Sequence, residues 1–151
     1  MITWTGRWAV WAAASWTLLY VASKIHFALA ERIGVTGGPR VAPETYLEYG
    51  PGEVARAQWA NAAAGLLMAA VVLASLIPFR RPLPRRTLAA LLWSCAAMAA
   101  AGGIGMTAGA LFAERGGALF GGYCAVWAVL LCLASLSFHR RRRSIMKQLS
   151  R

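Results

Sequence analysis

The 151 residues predict an all-α integral membrane protein: four transmembrane helices in an antiparallel up-down bundle, with both termini in the cytoplasm. Three observations carry that prediction. The composition is 59% apolar and 14% charged, too apolar for an ordinary soluble domain. Four apolar segments, 8–30, 55–79, 87–112 and 118–138, each exceed 20 residues. At about 1.5 Å per residue, each reaches across the roughly 30 Å hydrocarbon core. Charge is also segregated. All five acids (Glu31, Glu44, Glu48, Glu53 and Glu114) lie in or beside the first and third connections, while the second connection and the tail are basic.

Helices are selected because every backbone N–H and C=O in hydrocarbon must be satisfied internally, and the segments lack the period-2 alternation of a barrel strand. Orientation follows from Lys and Arg in short loops, which stay cytoplasmic. The side expected to face inward carries Arg7, Arg80, Arg81, Arg85, Arg86, Arg140 to Arg143, Lys147 and Arg151. The other side carries Arg32, Arg40, Arg56 and Arg115. The chain is thus a single transmembrane domain, 1–151, with an outer loop 31–54, an inner loop 80–86 and a basic cytoplasmic tail 139–151 in a cell membrane. Fourteen arginines against two lysines, with abundant alanine, suggest a bacterial gene of high GC content, hence the inner membrane.

The first segment opens with Trp4, Arg7 and Trp8, and Ala28-Leu29-Ala30 resembles a small-residue cleavage site. Lys24 and His26 make an odd approach to such a site, and an uncleaved span is the expectation. The loop 31–54 is rich in Gly and Pro, so little regular structure is expected beyond a short helical turn around Pro43–Tyr49. The second and third segments are joined tightly through Arg80-Arg81-Pro82-Leu83-Pro84-Arg85-Arg86. The third and fourth meet at a turn around Glu114-Arg115-Gly116. On either side of that turn stand two G-x-x-x-G sequences, Gly105/Gly109 and Gly117/Gly121. They predict close backbone approach within the hairpin, with a homodimer seam as the competing reading.

The arginines Arg140, Arg141, Arg142 and Arg143 directly after an apolar segment suit anionic lipid headgroups as partners, or a plain orientation signal, better than nucleic acid. Cys95, Cys124 and Cys132 fall inside the segments without a C-x-x-C pair, so no disulfide framework or zinc site is expected. His26 and His139 fall at opposite ends and cannot share a metal, and no cofactor is predicted.

Polar side chains inside apolar segments mark sites by default. Lys24, His26, Gln58, Asn61 and Tyr123 are such residues, and Glu31, Glu53 and Arg56 stand at the rim. Gln58 and Asn61 share a helix face, as do Tyr20, Lys24 and Glu31. If those faces meet, a polar pocket opens beneath the loop. The competing account makes Lys24 a snorkelling cation and Gln58 and Asn61 interhelical glue. No catalytic constellation is present. A proton-coupled exporter would want a carboxylate where Lys24 stands, and Ser23 with His26 is too weak a pair to indicate a hydrolase. The sequence therefore points first to a non-enzymatic accessory subunit or binding module, partnered by another membrane protein or a second copy. A carrier of a small anionic or polar ligand, with Lys24 as counter-ion, is the alternative. An outer-leaflet lipid enzyme using His26 with Glu31 or Glu53 comes third.

Overall fold

The structure, a computed structural model, describes residues 5–79, 81–112 and 117–149, with side chains described for 7–79, 81–112 and 117–140. Trp4, Arg80, the Glu114-Arg115-Gly116 turn and Arg151 lie outside the described residues, as do the side chains of Arg141, Arg142, Arg143 and Lys147. Four helices account for most of the chain: α1 Thr5–Leu29, α2 Glu53–Ala74, α3 Pro82–Phe112 and α4 Ala118–Leu149. A 3-10 helix, Pro43–Glu48, lies in the loop between α1 and α2.

The expectation of four spans is corrected. Among the described residues three helices are long and apolar enough to cross a membrane: Glu53–Ala74, Pro82–Phe112 and Ala118–Arg140. α1 has the length, at 25 residues, but not the composition. Its apolar residues are largely alanine and tryptophan, interrupted by Ser15, Thr17, Tyr20, Ser23, Lys24 and His26. The symmetric arrangement with both termini on one side rested on an even number of spans, and it falls with the fourth one. The chain is a small, all-helical, largely hydrophobic multi-pass membrane protein.

Two further boundaries differ from expectation. α2 stops at Ala74, and Ser75 to Ile77 bond back as turns before Pro78, which disfavours helix in the residue preceding it. Residues 82–86, expected in a connection, form the first turn of α3. Pro82 and Pro84 fit there because the first N–H groups of a helix have no intrahelical acceptor to lose. α4 continues beyond its apolar stretch to Leu149, so the basic tail extends the helix.

The helices pair as two hairpins. α1 packs on α2 and α3 on α4, each extensively, and α1 against α4 joins the hairpins, while α2 and α3 touch little. The less apolar helix is therefore flanked on two sides by apolar ones. The interior is built from small residues: Ala9, Ala13, Ala14, Ala62, Ala69, Ala96, Ala99, Ala128 and Ala134 are buried, with Val10, Val72, Leu92 and Leu131 as the larger fillers. Bulkier residues such as Leu67, Ile104, Leu111 and Val129 are exposed. That distribution suits helices in lipid, where association comes from close van der Waals packing of small residues rather than from hydrophobic exclusion.

The closest approaches identify which glycines matter. A Cβ on Gly65 would lie 2.7 Å from Val21 Cγ2 and 3.2 Å from Tyr20 Cδ1, and one on Gly121 would lie 2.5 Å from Thr107 Oγ1 and 3.1 Å from Thr107 N. Gly103 faces Ala125 N at 3.3 Å by the same construction. At Gly105 and Gly109 a Cβ would meet nothing within 4 Å, and at Gly117 it would meet Pro39 of the loop. Within the described hairpin the seam thus runs through Gly103 and Gly121, not through the paired repeat of four. Gly65→Ala and Gly121→Ala should each lower thermal stability in detergent by about 1–3 kcal/mol through overpacking. Gly105→Ala and Gly109→Ala should be neutral or gain about 0.5–1 kcal/mol, the ordinary helix preference for alanine. Equal losses at all four positions would contradict this assignment.

Candidate functional site

The polar residues expected to form a pocket do something else. α1 ends in a left-handed residue: Glu31 has φ 50, Arg32 N–H donates to Phe27 O at 3.0 Å, and Glu31 N–H donates to Ala28 O at 3.2 Å. This pair of bonds satisfies the last carbonyls of the helix and turns the chain sharply. The turn brings Arg32 to Gly34 back over the ends of α1 and α2. Gly34, at φ 144, passes so close to the Phe27 ring that a Cβ would lie 2.9 Å from it, which leaves room for glycine alone.

Lys24 and Gln58 then hold that returning strand. Lys24 Nζ donates to Gly34 O at 2.8 Å. Gln58 Nε2 donates to Arg32 O at 2.9 Å and to Gly34 O at 3.1 Å. Gln58 is 4% exposed, so these bonds satisfy carbonyls that would otherwise be stranded in an apolar setting, while its own Oε1 has no protein partner. Lys24 also lies 5.7 Å from the centre of the Tyr20 ring, a cation–π contact, and burial lowers its pKa from the ordinary lysine value. Lys24 and Gln58 converge on the protein's own backbone, at Gly34 O.

More bonds fix the rest of the loop. Ser23 and Thr36 hydroxyls lie 2.9 Å apart, and Thr36 N–H donates to Ser23 Oγ at 2.9 Å. Ile33 N–H donates to the Tyr46 hydroxyl at 3.1 Å, tying the first stretch of the loop to the 3-10 helix. Phe120 N–H donates to Gly37 O at 3.0 Å, so the loop also meets the first turn of α4. Glu53 accepts from Gly50 N–H at 2.9 Å and closes the turn into α2.

The remaining candidates are dispersed. His26, Glu31, Arg56 and Asn61 are exposed, and the His26 ring sits edge-on against Phe27 with centroids 5.7 Å apart. Tyr123 belongs to a different assembly, the α1–α4 seam. Its ring stacks on Trp16 at 5.0 Å, Trp16 Nε1 donates to Tyr123 O at 3.2 Å, and the Tyr123 hydroxyl donates to Trp16 O. Beside it, Trp127 Nε1 donates to Thr17 Oγ1 at 2.9 Å, and Thr17 Oγ1 donates to Ala13 O at 2.7 Å. Trp16, Thr17 and Trp127 did not register as candidates in the sequence. Their signal was nonetheless present: Trp16 and Tyr20 stand four apart on α1, and Tyr123 and Trp127 four apart on α4.

Lys24→Met and Gln58→Leu should therefore release the loop rather than the bundle. Amide exchange at residues 33–38 should speed up by at least about tenfold, one lost charge-assisted bond being worth roughly 1.5–3 kcal/mol, while exchange in α3 and α4 stays unchanged. Unaltered exchange across the loop in both variants would contradict the bracing role. No family model matches this chain, and neither a curated protein nor a solved structure resembles it closely enough to count as a match, so function rests on the chain's own geometry.

Proposed function

We propose that this protein is a non-enzymatic accessory subunit of a membrane complex, docking its partner through the loop between α1 and α2. The observation that carries the reading is a braced loop presenting an uncovered apolar residue. Lys24, Gln58, Ser23, Tyr46 and Phe120 fix its backbone. On it the 3-10 helix holds Leu47 at 86% exposure with Tyr49 at 40%, between the exposed carboxylates of Glu44, Glu48 and Glu53. Ordering a loop costs conformational entropy, and a pre-ordered apolar point ringed by charge reduces what association must then overcome.

The carrier reading ranks second, because Lys24 Nζ donates to Gly34 O and an anionic ligand would have to share or displace that bond. The lipid-enzyme reading needs His26 beside a carboxylate; His26 is exposed on α1, and Glu53 is occupied with Gly50 N–H.

Sidedness completes the proposal. The basic stretch between α2 and α3 and the basic end of α4 face the cytoplasm, by the retention of Lys and Arg in short loops, and the loop with its glutamates faces outward. The setting is the inner membrane of a bacterium. One experiment addresses both parts. Leu47→Cys, treated on intact cells with a membrane-impermeant thiol-directed photocrosslinker, should form an adduct with one discrete polypeptide, and a further Tyr49→Asp change should abolish it. Labelling only after the cells are broken would overturn the orientation. Labelling without an adduct, with the protein purifying alone in mild detergent, would overturn the accessory role.

A further inference from the structure

At the end of the bundle away from the loop, α3 and α4 border a cleft lined by Arg85, Arg86, Ala89, Phe138 and His139, with about 430 Å³ of space open to the surroundings. We propose that this cleft is a binding site for the phosphate headgroup of an anionic phospholipid. It stands on different residues from the docking loop and does not depend on that reading.

Charge is the first ground. Arg85 and Arg86 stand in the opening turns of α3, with Arg81 before them and Arg140 one residue beyond His139 on α4. The described carboxylates, Glu31, Glu44, Glu48 and Glu53, all belong to the opposite end, leaving these cations without acidic neighbours. Cations at a helix N-terminus also oppose the helix dipole. Both penalties vanish when an anion enters between them.

The donor chemistry is specific. Pro82 and Pro84 have no N–H, so the start of α3 offers an anion fewer backbone donors than usual and the guanidinium groups must supply them. Arginine presents paired N–H groups that match phosphate oxygens. Trp93 Nε1 donates to His139 Nε2 at 3.2 Å, which holds the imidazole in place and leaves Nδ1 to carry the ring proton as a further donor.

Depth selects a lipid over a free anion. The apolar stretch of α4 ends at Arg140 and α3 begins at Pro82, so the cleft sits where the candidate spans meet the headgroup layer. Phe138 and Ala89 give it an apolar wall. Trp93, 41% exposed and bonded to His139, adds an apolar surface beside it on which an acyl chain can lie. An anionic phosphodiester with its glycerol satisfies both halves; inorganic phosphate satisfies one.

The test uses the full-length protein, freed of lipid in neutral detergent and offered phosphatidylglycerol, phosphatidylcholine or inorganic phosphate separately. Retained lipid is read by native mass spectrometry and stabilisation by thermal unfolding. The wild type should retain phosphatidylglycerol in preference to phosphatidylcholine. Arg85→Ala with Arg86→Ala should cut that preference about tenfold or more, since each interfacial arginine contributes on the order of 1 kcal/mol. Arg85→Lys with Arg86→Lys should keep part of it, and this pair decides the matter if the alanine pair fails to fold. Arg142→Ala with Arg143→Ala in the tail should leave it largely intact. Equal retention of the two lipids, or equal loss from the tail pair and the cleft pair, would overturn the site. Stabilisation by inorganic phosphate alone matching that by phosphatidylglycerol would overturn the lipid assignment.

Discussion

The seam between α1 and α4 is the constraint on which the rest of this structure depends. α1 carries more polar side chains than lipid tolerates unpaired, and each needs a partner before the helix can lie among apolar neighbours. α4 supplies them. Trp16 and Tyr123 exchange bonds with one another's backbone, and Trp127 donates to Thr17. Tyr20 extends the aromatic contact towards Phe120 and Trp127, at centroid separations of 6.4 and 5.3 Å. The two hairpins would otherwise be joined only where α2 and α3 scarcely touch. Small residues let the helices approach; the polar and aromatic pairs determine which faces meet and in which register.

From that placement the rest of α1 follows. With Trp16 to Tyr20 held against α4, the opposite side of the helix near Tyr20 and Val21 closes on Gly65 of α2. The next turn puts Lys24 beside Gln58, and both reach carbonyls of the chain as it returns from the sharp turn at Glu31. The loop is ordered by the bundle beneath it, which is why an apolar side chain at Leu47 is held out rather than folded back. At the far end the same hairpin pairing sets Arg85 and Arg86 beside His139. The described glutamates thus gather at one end, among as many cations, and Arg85, Arg86 and His139 at the other, where no described carboxylate lies.

Much of this was legible in the residues and some was not. The apolar runs of α2, α3 and α4 announce themselves, because lipid enforces long stretches without charge. α1 misled for the same reason: its length satisfied the criterion while Thr17, Tyr20, Ser23 and Lys24 did not, and those residues are bonded to α4 or the loop, or lie against them. The glycine repeats do not describe the contacts, since spacing along one helix does not say which face the partner takes. Gly121 meets Thr107, and Gly105 faces open space. Lys24 and Gln58 both bond to Gly34 O. Their acceptors were not foreseeable, because Arg32 O and Gly34 O come into reach only through the left-handed turn at Glu31, a conformation its side chain does not advertise.

The most direct test of the account is a double-mutant cycle across the seam, with Thr17→Val and Trp127→Phe measured singly and together by reversible unfolding in detergent. Either replacement removes the bond between them; Thr17→Val keeps the side-chain outline, and the volume lost in Trp127→Phe is common to both arms of the cycle and cancels. The account predicts a coupling energy of about 0.5–1.5 kcal/mol, with the double variant losing clearly less than the sum of the two single losses. Strictly additive losses, with no coupling beyond error, would mean that α1 is not held to α4 by these side chains, and the arrangement built on that seam would have to be abandoned.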